Sequence, residues 1–357
     1  MRELNRARRR ILQAGVAAGS FLALPRLGPA QSQSTLDALP RLALVIGNTK
    51  YVQAPLRNPG NDAKAISGEL GQFGFKVDLQ LNAGRTQMAD AIRAFSNELA
   101  NSKGVGLFYY AGHGVQLAWR NYLIPVDAEI ERLEDIRDQA VELNLLLQGL
   151  VKARNPMNVI ILDACRDNPF GTKVPTEQKG LSQFDAPPGS LLAYATAPGN
   201  TATDGEGANG LYTENLLREV KVPEAKIEDV FKRVRLNVRL KSEGLQIPWE
   251  STSLEEDFYF QPPRQTRKLS EEELEKQFEE ELAIWEEIKG AREPAPIENY
   301  LRRYPSGKFS ELAQFRLNRL RAQREAAVQI AVANNILRPS SSKNADFKYE
   351  KAASTGL

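Results

Sequence analysis

An α/β fold with a mostly parallel sheet is predicted for this chain by two patterns. Short apolar runs alternate with segments whose apolar residues recur every three or four positions. Most of those runs are apolar throughout, the mark of strands covered on both faces by helices.

The first run, RLALVIGN (41–48), is ended by Gly47 and Asn48 and reads as a buried strand. After the loop TKYVQAPLRNPGND, Ala63, Ile66, Leu70 and Phe73 make one helical stripe. Phe75, Val77, Leu79 and Leu81 alternate as a strand, and Met88, Ile92, Phe95 and Leu99 predict a second helix. GVGLFYYAGHG (104–114) is a third strand, NYLIPVDA (121–128) a short strand or turn, VELNLLLQGLVKA (141–153) a third helix and NVIILDAC (158–165) a fourth strand. The polar stretch from Gly171 to Ser190 carries Pro175, Pro187 and Pro188, and a loop of about 20 residues inside a domain is usually functional or mobile. SLLAYATAP (190–198) resumes the sheet, NGLYTENLLREV and IEDVFKRVRLNVRLKS are two further helices, and LEEDFYF closes the domain near Phe260.

Beyond Pro263 the pattern changes. A charged helix presents Leu282, Trp285 and Ile288 on one side, followed by Ile297, Tyr300, Leu301 and Tyr304 and then by Phe309, Leu312, Leu317 and Leu320. This predicts a small helical hairpin of the kind that stacks in helical repeats, about one and a half units long. The expected organisation is a signal peptide over 1–30, a linker over 31–40, the α/β domain over 41–262, a helical repeat-like region over 266–331 and a disordered tail over 332–357. The signal rests on five arginines by Arg10, an apolar small-residue stretch and a break after Ala30. Arg8 and Arg9 before Ile11 and Leu12 also suit twin-arginine export. An exported protein, periplasmic or extracellular, is therefore expected. Pro25 and Arg26 interrupt the apolar stretch, and no later run is long enough to span a bilayer, so the mature chain is expected to carry no spanning helix.

Composition excludes little else. The chain has 357 residues, 42% hydrophobic and 26% charged, with a net charge of +2, which gives no argument for nucleic acid or anionic lipid as a partner. A single cysteine allows no internal disulfide. That cysteine, Cys165, and the chain's one histidine, His113, both stand at the carboxyl ends of predicted strands, where the crevice of a parallel sheet lies. An imidazole can generate a thiolate and later protonate a leaving amine. The plainer alternative is a buried core cysteine and a loop histidine. Against it stand the small neighbours Ala111, Gly112, Gly114 and Ala164, which would let a substrate backbone approach. An oxidising destination would also select against an idle thiol.

FYYAGHG, followed 52 positions downstream of His113 by DACRD, resembles the caspase-like cysteine peptidases in their prokaryotic metacaspase-like branch. A histidine about 50 residues before an Ala-Cys motif is that family's known signature. LVIGN and AYATAPG also resemble the family's first strand and the strand of its small subunit, and the similarity covers Arg41 to about Phe260. The resemblance implies a caspase-like three-layer sandwich, peptidase C14 type, with His113 as general base and acid and Cys165 as nucleophile. It implies an oxyanion hole from the backbone N–H groups of Gly114 and Cys165. No metal is assigned. Calcium is a candidate activator because some metacaspase-like enzymes need it.

The departures from the caspase pattern concern specificity. Asp163 stands where caspases place glutamine, Asp204 aligns near the arginine with which they hold a substrate aspartate, and Asp62 matches a pocket aspartate of the metacaspases. Carboxylates around one pocket attract arginine or lysine and repel acidic side chains, so cleavage after Arg or Lys is expected. Asp62 could instead cap a helix starting at Ala63, and Asp163 could bond backbone at the strand end. Lys173 and Lys179, in the segment where caspases are cut between subunits, are the candidate self-cleavage sites.

Several other residues read as structural. Tyr109 and Tyr110 are expected in the core, as are Pro248 and Trp249, and the acidic run Glu271–Glu281 as a solvated helix face. The expected function is a cysteine endopeptidase acting on protein or peptide substrates, with the C-terminal helices available to a protein partner. The alternative is a catalytically idle scaffold acting through those helices.

Overall fold

The computed structural model describes residues 35–165, 169–170, 174, 181–182, 184–196, 207–262 and 270–336. The signal segment, Asp204, Lys173, Lys179 and the tail from 337 onward lie outside the described residues.

A six-strand path forms the main sheet. Its strands are β1 (Arg41–Gly47), β2 (Phe75–Leu81), β3 (Val105–Leu117), β6 (Met157–Cys165), β7 (Ser190–Tyr194) and β8 (Trp249–Thr252), in the order β2-β1-β3-β6-β7-β8. All pairings along that path are parallel except β7 with β8. β4 (Arg120–Leu123) folds back antiparallel on the far end of β3, and β5 (Val141–Glu142) pairs with β4.

Both faces are covered, as continuous apolar strands require. Odd-numbered residues of β3 and β6, such as Leu107, Val159 and Ile161, pack with α1 (Pro59–Gln72), α5 (Leu211–Glu219) and α6 (Ile227–Lys241). Even-numbered residues, such as Phe108, Ile160 and Leu162, pack with α2 (Arg85–Ser102) and α4 (Asn144–Ala153). The result is the expected three-layer α/β sandwich. A smaller core forms around the β3–β4 hairpin and includes Ile136 of α3 (Leu133–Gln139).

Gly47, the last residue of β1, shows how closely α1 sits. A Cβ there would meet Ala63 Cβ and the Pro59 carbonyl oxygen, each at 2.5 Å. Both obstacles are fixed to the helix backbone, so the helix would have to move. Gly47→Ala is expected to destabilise the fold by about 1–3 kcal/mol, the usual range for overpacking, read as a lower denaturant midpoint at unchanged slope.

The structure differs from the sequence reading at four places. Val141 and Glu142, read as helix, form β5, because Val141 pairs with Leu123 and is buried; the helix starts at Asn144. The short helix α3 and the strand β8 were not expected; each is too short to show a period. The segment read as linker contains a 3₁₀ turn, Thr35–Ala38, which buries Leu36 in the core.

The fourth difference concerns the C-terminal region. It forms three helices, α7 (Glu271–Ile288), α8 (Pro294–Arg303) and α9 (Ser310–Ile336), the last running past the expected boundary at 331. Ser270 and Glu273 make a reciprocal capping box that starts α7. Trp285, Ile297, Tyr300, Leu301, Ala313 and Leu317 share one core with Leu236 of α6, so the helices dock on the α/β domain. Lys232 of α6 also donates to Ser306 at 2.6 Å. Within the acidic run read as a solvated face, Glu281 is buried and accepts from the Tyr300 hydroxyl at 2.6 Å. Burial, and after it the Glu281 carboxylate, pushes the Tyr300 phenol up, so it remains the donor.

Candidate active site

β3 and β6 run parallel and in register as far as Cys165, the last residue of β6, whose backbone partner is His113. β3 itself continues to Leu117, so His113 lies within the strand and not at its end as expected. Neighbouring strands lie about 4.8 Å apart. Sequence positions 52 apart are thus brought side by side at the open end of the sheet.

The His113 ring is fixed by a loop that the sequence reading left unassigned. Its Nε2 lies 2.7 Å from the carbonyl oxygen of Ala54. A carbonyl only accepts, so Nε2 carries a proton, and in the neutral tautomer Nδ1 is the basic nitrogen. Ala54 has φ +52°, in the left-handed region, a conformation that costs an alanine about 1 kcal/mol or more and is retained where surroundings impose it. Tyr51, on the same loop, packs against the imidazole at a tilt of 51° with ring centres 4.4 Å apart, and its hydroxyl accepts from the His113 backbone N–H at 2.9 Å. Tyr110 donates to the His113 carbonyl at 2.7 Å. A backbone carbonyl leaves no mark in sequence; Tyr51, an aromatic in a polar loop, was the one available signal.

The glycines beside His113 play a different part from the one expected. A Cβ on Gly112, whose φ is +156°, would meet the hydroxyls of Tyr51 at 2.5 Å and Tyr110 at 2.7 Å. A Cβ on Gly114 would meet Ala164 and Leu181, each at 3.0 Å. In these directions the space holds protein atoms: Gly112 admits the two tyrosine hydroxyls that hold the histidine backbone, and Gly114 lets Ala164 and Leu181 approach.

Asp62 and Asp163 come together at a second point of the same edge. Asp62 lies inside α1, whose N-cap is Asn58, so it does not cap the helix. It is only 3% exposed, and its Oδ1 accepts from Asn209 Nδ2 and from the Gly210 backbone N–H, both at 2.9 Å. Asp163 is half-buried two residues before Cys165. Its Oδ2 accepts from Thr213 Oγ1 at 2.7 Å and from the Tyr109 hydroxyl at 3.3 Å. Side chains are thus among the partners of this carboxylate. The Tyr109 and Thr213 hydroxyls lie 2.6 Å apart, completing a chain that ends on Asp163.

Gly210 stands between the two carboxylates. A methyl group there would lie 3.2 Å from Asp62 Oδ2 and 4.0 Å from Asp163 Oδ2, so both acids frame one small space. The field in that space is negative. Burial first, then Asp163 and Asp62, raises the Tyr109 phenol well above its usual range, and burial and Asp163 do the same to Tyr212. Tyr109 is in the core as expected, but with its hydroxyl in this network. Trp249 packs on Tyr194 with ring centres 5.8 Å apart, a structural contact. Among the described residues no group of three or more His, Cys, Asp or Glu could hold a metal, and no helix is long and apolar enough to cross a membrane.

A three-layer α/β sandwich with histidine and cysteine paired on adjoining strands defines a class of proteins, and sequence comparison agrees. The profile of the caspase domain, peptidase C14, matches residues 40–259, and the chain belongs to that family. It is similar to mucosa-associated lymphoid tissue lymphoma translocation protein 1 of Homo sapiens, with 29% identity over 207 residues, 54% of this chain and 24% of the relative. The Mus musculus homologue of that protein is 29% identical over 192 residues, 51% of this chain and 22% of the relative. The chain thus spans about a quarter of the length of these relatives.

Proposed function

We propose that this caspase-family chain is a cysteine endopeptidase that cleaves after arginine or lysine, with His113 and Cys165 as its dyad. The reading is supported above all by the in-register pairing of His113, on β3, with Cys165 at the carboxyl end of β6. His113 Nδ1 takes the thiol proton, and the Cys165 thiolate attacks the scissile carbonyl carbon. The resulting oxyanion is held by the backbone N–H groups of Gly114 and Cys165. His113 then gives its proton to the departing amine. Water, deprotonated by the same imidazole, hydrolyses the thioester and restores the thiol.

The basic preference is supported by Asp62 and Asp163 framing the space at Gly210, with Asp204 as a third candidate on the sequence argument. A guanidinium entering there meets carboxylates whose positions are set by Asn209, Gly210 and Thr213, so little reorganisation accompanies binding. We read Lys173 and Lys179 as self-processing sites, the N-terminal segment as an export signal, and the C-terminal helices as the place of a protein partner. Leu274, Phe278, Leu312 and Phe315 are exposed on those helices.

The test is a fluorogenic peptide panel ending in Arg, Lys or Asp, assayed in reductant with and without calcium. Arg and Lys peptides are expected to be cleaved at least about 10²-fold more efficiently than Asp peptides, since mispairing like charges in a buried pocket costs several kcal/mol. A preference for Asp would remove the basic-pocket reading, and no hydrolysis under either condition would favour the idle scaffold.

A further inference from the structure

Away from the strand ends, a cavity of about 750 Å³ opens between α2, the β3–β4 hairpin, α3 and β5. Its wall carries four guanidiniums, those of Arg85, Arg93, Arg120 and Arg137, against one carboxylate, Glu142. The net charge of +2 for the whole chain conceals this local concentration.

Existing partners neutralise only part of it. Arg120 pairs with Glu142 at 3.1 Å, and Arg93 with Asp90 at 2.9 Å in an exposed contact of the kind worth little. Arg85 and Arg137 have no carboxylate within ion-pair distance among the described residues. Arg85 donates from Nε to the Ala140 carbonyl at 3.4 Å, and Arg137 reaches the Tyr122 hydroxyl. Arg85 and Thr86 also belong to the first turn of the 18-residue helix α2, whose positive end faces the same space. Asp127 answers part of that end by accepting from the Arg85 backbone N–H at 2.9 Å.

The cavity rim is built at a conformational cost. The turn between β3 and β4 is two residues long, Leu117 pairing with Arg120, and both turn residues have positive φ: Ala118 at +49° and Trp119 at +63°. Such turns favour Asn-Gly, so alanine and tryptophan there hold strain of a kind that clusters at binding sites. Ala118 lines the cavity, and Trp119 next to it is 76% exposed.

We propose that this cavity binds an organic polyphosphate of about nucleotide size. Guanidinium forks match phosphate oxygens in pairs, and two exposed arginines without carboxylate partners leave positive charge that a ligand carrying several negative charges would meet. The volume falls within the range of sites for organic ligands and exceeds what a lone inorganic ion would fill. Ala89, Ala118 and Leu145 supply apolar wall for the body that bears the phosphates.

The test titrates ATP, tripolyphosphate and citrate into the full chain, followed by calorimetry and by the fluorescence of Trp119, with Trp119→Phe as the control for that signal. Saturable binding of ATP, tighter than tripolyphosphate and much tighter than citrate, is expected. Arg93→Gln/Arg137→Gln should weaken it at least about 10-fold, equivalent to about 1.4 kcal/mol. Both arginines are exposed, and an unchanged melting transition separates lost binding from lost fold. No saturable binding to millimolar ATP, or equal binding by the double variant, overturns the site. Citrate binding as tightly as tripolyphosphate overturns the assignment to phosphate, and ATP binding no tighter than tripolyphosphate overturns the organic body. Binding is read directly, so the result does not depend on whether peptidase activity is found.

Discussion

Cys165→Ala is expected to reduce peptide hydrolysis by about 10⁴-fold or more, and His113→Ala by a similar factor, with the double variant no worse than either alone. Residues that act as a unit show this non-additivity, because each single loss already removes the covalent route. The two variants should differ in one respect. In His113→Ala the thiol remains, and its alkylation by iodoacetamide should slow near neutral pH and recover as pH rises toward the range of an unassisted thiol, about 8.5. Rapid neutral-pH alkylation without His113 would show that the imidazole does not generate the thiolate. Full activity in Cys165→Ala would end the cysteine mechanism altogether.

Asp163→Asn is expected to lower kcat/KM on arginyl peptides by about 30- to 4 × 10³-fold while leaving Cys165 alkylation at its wild-type rate. Removing one partner of a desolvated charge pair typically costs about 2–5 kcal/mol, and about 1.4 kcal/mol corresponds to each factor of ten. The asparagine keeps the size of the aspartate and can still accept from Thr213 and Tyr109, so the local hydrogen bonds at 2.7 and 3.3 Å have a substitute acceptor. The loss should therefore appear on arginyl and lysyl peptides and not on neutral ones. An equal loss on all three, with alkylation also slowed, would mean that Asp163 acts by holding β6 and not by charge.

The strand-and-helix order was legible in the sequence because buried strands are short apolar runs and their covering helices carry stripes, as Ile66 and Leu70 do on α1. His113 and Cys165 stood out as singletons at strand ends, and the family signature fixed their pairing distance along the chain. Asp62 and Asp163 were named, but not what positions them. Thr213 comes from α5 and Gly210 from its N-cap, some 50 and 150 positions away from the acids they touch, and nothing local marks a threonine or glycine as part of a pocket. The Ala54 carbonyl was beyond sequence reasoning for a simpler reason, since any residue supplies one. β5 was lost because two residues cannot display a period, and Glu281 because a buried glutamate in an acidic run looks like its neighbours until Tyr300 is placed against it.

Asp163 and Cys165 are separated by one residue of the same strand. Their Cα atoms are thus about 6.6 Å apart, two strand rises, a span that side-chain mobility cannot change. That fixed span is a ruler for inhibitor design. Residues two apart on a strand project to the same face, so a warhead aimed at the sulfur and a cation aimed at the carboxylate need a linker on the order of that span.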